Sequence, residues 1–198
     1  MSDLQKKWDA RYRNSGSRSA QAATVLRDNE HLLPARGEAL DLACGLGGNA
    51  MLLARAGLQV TAWDLSPVAI AALTQRAAQE GLAMAAEVRD VQAEPPPAAA
   101  FDVIVVSYFL QRELAPVLCA ALRPGGVLYY QTFVRDKVAA VGPSNPDFLL
   151  AENELRDLFS ELCLRVYREE GSLGDPLRGL RNEALLVGQK TVGQKVAV

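Results

Sequence analysis

Short apolar runs alternate with helical segments along the chain from about residue 38 onward. The apolar runs predict five strands, at residues 38–43, 58–64, 82–90, 101–107 and 127–133. Apolar positions at helical spacing predict helices between them, over residues 50–56, 68–80 and 111–122. This alternation is typical of βαβ units, in which helices cover both faces of a parallel sheet. The pattern therefore predicts an α/β fold.

Local signals mark the ends of these elements. Gly57 and Gly81 each follow a predicted helix, where glycine is common as a C-cap. Ser66 and Pro67 supply an N-cap and a first-turn proline to the helix over 68–80. The continuous apolar run "FDVIVVS" predicts a strand that is buried on both faces, and "RPGG" at 123–126 predicts a turn before the fifth strand.

The last third of the chain follows a different pattern. Residues 134–150 lose periodicity and are rich in glycine and proline, so we expect a loop over one end of the sheet. A helix is predicted over 152–162. Two further strands, at 163–170 and 182–189, are separated by a loop too short for a crossover helix, and they should pair antiparallel.

Composition favours one compact domain, because the 198 residues are 49% hydrophobic. We expect a helical cap segment over residues 1–36, the main domain over 37–190 and a frayed tail over 191–198. Basic residues near the N-terminus are interleaved with Asp3 and Asp9, a pattern that predicts a solvated helix face.

Charge and cysteine content exclude several functions. The net charge is −2 and the pI is about 5.5, so neither a nucleic acid nor a membrane surface is an expected partner. The three cysteines lack the spacing of a disulfide framework or a zinc site, which indicates reduced thiols in the cytoplasm. A single histidine, His31, excludes a multi-histidine metal site, and no metal is expected. No segment has the roughly 18 apolar residues of a membrane helix or the apolar core of a signal peptide.

The stretch "DLACGLGGN" at 41–49 places a glycine-rich turn between a strand and a helix. Such a turn presents backbone N–H groups and the positive end of a helix to an anionic ligand group. Gly45, Gly47 and Ala50 satisfy the loose G-x-G-x-x-[GA] pattern. The ligand group could be a pyrophosphate or the carboxylate of an amino-acid moiety.

Three aspartates narrow the choice. Asp41 could bind a ligand ammonium group or hold the turn, and it would repel a pyrophosphate. Asp64 ends the second strand about twenty residues after the turn, where a carboxylate can bind ribose hydroxyls. Asp90 with Val91 suits an adenine, although an acid there can also cap the next turn. A zwitterion, a ribose and an adenine together indicate S-adenosylmethionine.

The chain resembles the class I S-adenosylmethionine-dependent methyltransferases over roughly residues 37–190. The motifs that carry the resemblance are "ALDLACGLGGN", "VTAWDLSP", "VRD", "FDVIVVSYFL" and "LRPGGVLYYQTF". The resemblance implies a doubly wound, Rossmann-like, seven-stranded sheet in the order 3-2-1-4-5-7-6 with strand 7 antiparallel. It also implies the cofactor-binding residues Asp41, Gly45, Gly47, Asn49, Asp64, Leu65, Asp90, Val91 and Ser107.

Within this family, "KKWDARY" and "GPSNPDFLL" look most like the small tellurite-resistance and thiopurine methyltransferase-like branch. Such relatives often carry an arginine where this chain has Gly48, so their substrates are not carried over. Cys44 lies inside the first motif without a nearby histidine, and we interpret it as a small core residue. Trp63 is likewise interpreted as core packing.

Acceptor-side candidates lie at two places. Trp8, Tyr12 and Arg13 on the first helix could form a lid over the cofactor or a hydrophobic staple. Tyr108 and Phe109 follow the fourth strand, where they could stack on an acceptor or on the sulfonium, or pack the loop. No catalytic acid–base pair is evident, which favours a soft small-molecule acceptor such as a thiolate or a selenium or tellurium oxyanion.

Three other functions remain open from the sequence. They are methylation of RNA or protein, cofactor binding without catalysis, and nicotinamide-dependent oxidoreduction. The absence of a basic docking surface disfavours the first. We expect a monomer or a weak homodimer.

Overall fold

Seven strands form one sheet in the order β3-β2-β1-β4-β5-β7-β6. The structure is a computed structural model that describes residues 3–14 and 21–192. Its strands are β1 (Glu38–Leu42), β2 (Gln59–Asp64), β3 (Met84–Val88), β4 (Phe101–Ser107), β5 (Leu122–Phe133), β6 (Cys163–Glu169) and β7 (Glu183–Gln189). β7 pairs antiparallel with β5 and β6, and the other pairs are parallel. The predicted order and the antiparallel seventh strand are confirmed.

In the described segments, two α-helices precede β1 and four lie on connections between strands. The α-helices of the described segments are α1 (Asp3–Asn14), α2 (Thr24–Arg27), α3 (Gly48–Arg55), α4 (Pro67–Gln79), α5 (Ala115–Ala121) and α6 (Glu154–Leu158). Short 3-10 helices lie at Glu30–Leu32, Arg112–Leu114 and Pro146–Phe148. His31 lies in the first of these. The helix predicted over 152–162 is shorter, because only Glu154–Leu158 is helical.

The turn predicted at "RPGG" is wrong, because these residues belong to β5. Phe101 pairs with Leu122, and the register then shifts so that Val103 pairs with Val127. The extra residues form a bulge, in which Gly125 has a φ of +84°. The glycine and proline signal was therefore real, but it marks a bulge within a strand.

The hydrophobic core fills both faces of the sheet. Along β4, Ile104 and Val106 face one apolar cluster, whereas Val103 and Val105 face the other. This alternation confirms the predicted burial of β4 on both sides. Trp63 and Cys44 are buried in the core, as predicted.

The loop over 134–150 is tied to the carboxyl ends of the central strands. Val134 forms a β-bridge with Leu150, and Arg112, which follows β4, donates to the carbonyls of Asp147 and Leu149 at 2.7 and 3.1 Å. Gly142 packs closely on the ring of Phe133, since a Cβ there would lie 2.7 Å from that ring. The loop therefore lies at one end of the sheet, as the sequence predicted.

Candidate cofactor and acceptor site

Asp41, near the end of β1, holds the start of α3. Its carboxylate is fully buried and accepts hydrogen bonds from the Ala50 N–H at 2.9 Å and from Asn49 Nδ2 at 3.3 Å. Of the two roles open from the sequence, the structure favours holding the turn. Contact of Asp41 with a ligand ammonium group stays a prediction.

Asn49 connects three parts of the chain. Its Oδ1 accepts from the Ala23 N–H at 2.8 Å, and its Nδ2 donates to Ser107 Oγ at 2.9 Å as well as to Asp41. Asn49 is almost completely buried. It therefore supports the turn by joining β1 to the end of β4 and to the segment before α2.

The three glycines of the turn, Gly45, Gly47 and Gly48, have different neighbours. Gly45 and Gly47 have φ values of +53° and +76°, in the left-handed region that favours glycine. A Cβ at Gly47 would lie 2.2 Å from Leu73 Cδ1, so this glycine permits close packing of α4. A Cβ at Gly48 would lie 2.3 Å from the carbonyl oxygen of Gln21, and an arginine there would collide with this backbone.

Gly45 instead faces α1. A Cβ at this position would lie 3.0 Å from Tyr12 Oη. Among the three glycines of the turn, Gly45 thus fits the predicted close approach of a ligand best, whereas Gly47 and Gly48 are accounted for by packing within the chain.

Asp64 ends β2 with its carboxylate directed at the turn. Its Oδ2 accepts from the Gly45 N–H at 2.8 Å and its Oδ1 accepts from the Ser66 N–H at 2.9 Å. The hydroxyl of Tyr12 forms a further hydrogen bond with this carboxylate. Asp64 is 5% exposed, and burial raises the pKa of its carboxyl group. A fixed carboxylate therefore lies where ribose hydroxyls were predicted to bind.

Helix α1 covers this region. Asp9 is buried and bonds to the hydroxyl of Ser66, the N-cap residue of α4. The rings of Trp8 and Tyr12 stack with their centroids 5.8 Å apart. The prediction of a solvated helix face was therefore wrong at Asp9. This residue is buried, and its bond to Ser66 holds α1 against α4. Contacts expected of both a lid and a staple are present.

Arg13 lies at the exposed edge of this arrangement. Its side chain is 65% exposed and lies 3.9 Å from Asp9. The structure thus brings Tyr12 into the site, whereas an acceptor-side role of Arg13 stays a prediction.

Asp90 and Val91, the residues predicted to hold an adenine, follow β3, which is next to β2 in the sheet. Asp90 is exposed, and its carboxylate accepts from the Gln92 N–H at 3.0 Å. This is the turn-capping geometry that the sequence left open. Val91 is buried and Leu65 is partly buried. Adenine contacts of Asp90 and Val91, and a cofactor contact of Leu65, stay predictions.

The segment after β4 presents Tyr108 rather than Phe109. Tyr108 has a φ of +56°, is 46% exposed, and lies with its ring 5.2 Å from that of Phe133. Phe109 packs partly against the core, and its carbonyl accepts from Tyr130 Oη at 2.7 Å. The structure therefore places Tyr108 at the surface of the site and Phe109 in loop packing.

Two polar residues near Tyr108 were missed from the sequence. Gln131 on β5 is fully buried, and its Nε2 donates to Tyr108 Oη at 3.3 Å and to the carboxylate of Glu183. Glu183 is the first residue of β7. A glutamine within the otherwise apolar "VLYYQTF" was the available signal, because a polar side chain in a central strand needs a buried partner.

A pH dependence of stability follows from Asp41. Burial raises the pKa of its carboxyl group from 3.8 to about 7. Between these values the folded chain binds more protons than the unfolded chain, so the free energy of unfolding should fall as pH rises from about 4 to about 7. The loss is on the order of 4 kcal/mol. Denaturant unfolding between about pH 4 and about pH 7 measures this loss, and Asp41→Asn should flatten the dependence of the unfolding free energy on pH. An unchanged dependence in this variant contradicts the assignment of the effect to Asp41.

Residues 3–14 and 21–192 contain no group of three or more His, Cys, Asp or Glu side chains that could hold a metal ion. Over the same ranges, the helices fall short of the length and apolar character needed to cross a bilayer.

Comparison with known proteins gives independent evidence on the family of this chain. Residues 39–126 match a family model described as a methyltransferase domain. The chain is 37% identical to Hemagglutinin 1 of Eikenella corrodens over 142 residues, which cover 66% of this chain and 45% of that protein. It is 29% identical to a ubiquinone biosynthesis O-methyltransferase of Methylocella silvestris over 160 residues, which cover 71% of this chain and 62% of the relative.

A further relative is similar in both sequence and structure. The probable S-adenosyl-L-methionine-dependent methyltransferase TehB of Haemophilus influenzae is 31% identical over 138 residues, which cover 66% of this chain and 47% of TehB. The crystal structure of TehB superposes with a TM-score of 0.70 at 23% identity, covering 93% of this chain and 67% of that one. The chain thus spans about half the length of the curated relatives that it matches.

The residues of the site fit S-adenosylmethionine, the cofactor named for the similar protein TehB. Asp64 offers a fixed carboxylate for ribose hydroxyls, and Gly45 leaves room where a Cβ would fill the space below Tyr12. With the seven-stranded sheet and the sequence matches, these features lead to one assignment. Residues 39–126 form a methyltransferase domain of the class I S-adenosylmethionine-dependent type.

Proposed function

We propose that this chain transfers a methyl group from S-adenosylmethionine to a small-molecule acceptor. The observation that carries the proposal is the Asp64 carboxylate, which the N–H groups of Gly45 and Ser66 fix at the end of β2. A small acceptor is supported by the acidic pI of the chain, which disfavours RNA. The names of the ubiquinone-pathway relative and of TehB are compatible with methyl transfer.

The cofactor supplies a methyl group on a sulfonium, whose departure as a thioether requires no protonation. The protein can therefore act mainly by alignment, which can contribute roughly 7–11 kcal/mol. Asp41 and Asn49 fix the turn, and Asp64 would orient the ribose. Tyr12 on α1 would cover the site and exclude water.

The class of acceptor has two candidates. A thiolate or a selenium or tellurium oxyanion was expected because the sequence showed no acid–base group. In the structure, Glu183 lies beside Tyr108 and could act as an acid–base group. Its presence favours an acceptor that must lose a proton, such as a hydroxyl compound. Both classes therefore belong in the first acceptor screen.

Calorimetry and product analysis test the proposed function. We expect S-adenosylmethionine to bind and NADH not to bind. We also expect release of S-adenosylhomocysteine with at least one member of a panel of thiols, selenite, tellurite and small phenols. A preference for NADH contradicts the proposal, and tight cofactor binding without any turnover supports a non-catalytic role instead.

Loosening α1 should shorten the residence time of the cofactor. Asp9→Ala removes the buried carboxylate that bonds to Ser66, so α1 should separate more often from α4. We expect S-adenosylmethionine to dissociate several-fold faster in stopped-flow displacement, with faster tryptic cleavage at Arg11 and Arg13. Asp3→Ala is the matched control, because Asp3 lies on the same helix and is 99% exposed. Equal dissociation rates in the two variants contradict a covering role for α1.

A further inference from the structure

Three side chains from three elements meet at the carboxyl ends of β4 and β5, beside the start of β7. We call Tyr108, Gln131 and Glu183 the acceptor cluster. Tyr108 Oη donates to Glu183 Oε2 at 3.4 Å, and Gln131 Nε2 donates to both of the others. The cofactor contacts proposed above use none of these residues. The cluster is therefore available for a second ligand at the same end of the sheet.

The buried glutamine fixes the geometry of the cluster. Gln131 Oε1 accepts from the Val25 N–H at 2.7 Å, so its Nε2 must point toward Tyr108 and Glu183. This amide thereby holds one carboxylate oxygen, Oε2. Within residues 3–14 and 21–192, Glu183 Oε1 has no hydrogen-bond partner. One oxygen of an oriented carboxylate can therefore accept a proton from a ligand.

An aromatic surface adjoins this carboxylate. The exposed ring of Tyr108 is tilted by 37° against Phe133, and the hydrogen bond of the Tyr108 N–H to the Gln131 carbonyl, at 2.8 Å, holds the backbone there. The φ of +56° is unusual for a tyrosine, and such conformations are concentrated at functional sites. A flat ring stacked on this surface would bring a ring substituent toward Glu183.

The position of the cluster relative to the cofactor turn follows from the sheet. Ser107 pairs with Gln131 in register, and Ser107 also bonds to Asn49 of the cofactor turn. The acceptor cluster and the turn are thus adjacent at the switch point between β1 and β4, where doubly wound sheets bind their ligands.

We propose that Glu183 is the general base of the reaction and that the acceptor is a small aromatic hydroxyl compound. This inference rests on the methyl transfer proposed above. Glu183 takes the proton of the hydroxyl group and becomes a neutral carboxylic acid. The acceptor oxygen forms a bond to the methyl carbon as the methyl–sulfur bond breaks. The electron pair of that bond stays on sulfur, which gives S-adenosylhomocysteine, and Glu183 then releases its proton to water.

The electrostatic surroundings suit this role. The ionisable groups that act on the cluster are Tyr108 and Glu183 themselves and Arg27 of α2, whose charge acts on Tyr108. Burial raises the pKa of Glu183 above its usual range, although Gln131 and Tyr108 partly oppose this shift. A carboxylate with a raised pKa is a stronger base. Because only the ionised form accepts a proton, the rate should rise with pH through the pKa of Glu183.

Glu183→Gln tests the proposal with phenols of different acidity. For catechol, whose hydroxyl is largely protonated near neutral pH, we expect kcat to fall by about 10²- to 10⁴-fold and the acidic limb of the pH profile to disappear. A nitrophenol that is already ionised at the assay pH needs no base, so its kcat should change by less than about threefold, on the same reasoning. Glu183→Asp should keep the acidic limb with a reduced kcat.

Binding measurements separate this role from a structural one. In the complex with S-adenosylhomocysteine, we expect the affinity for catechol to fall roughly tenfold in Glu183→Gln, because a charge-assisted hydrogen bond is lost. The affinity for S-adenosylmethionine should stay unchanged. Glu161→Gln, an exposed glutamate before β6, is the matched control and should behave as the unmodified protein.

Two results overturn the inference while leaving methyl transfer intact. One is methylation of catechol by Glu183→Gln at the unmodified rate, and the other is turnover of thiols without turnover of any phenol. Failure of the unmodified protein to bind S-adenosylmethionine instead contradicts the proposed function, on which this inference rests.

Discussion

Replacing Gly45 with valine is expected to abolish measurable binding of S-adenosylmethionine. Gly45 has a φ of +53°, and a left-handed backbone costs a residue with a Cβ roughly 1–2 kcal/mol, with a further penalty for a β-branched side chain. The added Cβ would lie 3.0 Å from Tyr12 Oη, and the two γ-methyl groups would fill more of the space between the turn and α1. The change also strains the N–H group that holds Asp64. Isothermal titration calorimetry measures the effect.

Backbone strain alone must be separated from this steric effect. Gly81→Val is the matched control, because Gly81 has a φ of +67° and nothing lies within 4 Å of a Cβ there. We expect Gly81→Val to lower the thermal midpoint but to bind the cofactor with unchanged affinity. Cofactor affinity within threefold of the unmodified protein in Gly45→Val would show that no ligand approaches this glycine.

Asp64→Ala is expected to weaken cofactor binding by about 10- to 100-fold, the usual cost of removing hydrogen bonds to a charged group. The ribose would lose its carboxylate, and the Gly45 and Ser66 N–H groups would lose their acceptor. The variant should still fold, with a lower free energy of unfolding, because the buried Ser66 N–H and the partly buried Gly45 N–H are left unsatisfied. Calorimetry gives the affinity, and denaturant unfolding gives the stability.

The control for this variant is an aspartate of the same type at a distant surface. Asp157→Ala on α6 removes a carboxylate that is 68% exposed, so both affinity and stability should stay close to those of the unmodified protein. Unchanged affinity in Asp64→Ala would count against the ribose role, whatever its effect on stability.

Much of the fold followed from local patterns. Three local patterns predicted features that the structure shows: the burial of β4, the N-cap at Ser66 and the antiparallel pairing of β6 with β7. They were predictable because burial, capping and connection length each depend on a few consecutive residues. The bulge in β5 did not follow. Its glycine and proline residues predict a turn as readily as a bulge, and pairing with β4 decides between them.

The site was less predictable for the same reason. The position of Asp64 beside the glycine turn was predictable because one βαβ unit sets the distance between them. Gly47 belongs to the same glycine-rich motif, but it packs against Leu73 of α4. This contact joins two elements, so the spacing of residues within the motif does not predict it. Asp9 and Glu183 have ordinary charged sequence surroundings. The burial of Asp9 depends on the docking of α1, and the contacts of Glu183 depend on the register between β5 and β7.

A crystal structure of the chain with S-adenosylhomocysteine tests the central claim most directly. The account predicts the ribose hydroxyls within hydrogen-bond distance of the Asp64 carboxylate, with the ligand lying against Gly45. A ligand bound with its ribose away from Asp64, or at another edge of the sheet, would contradict the account.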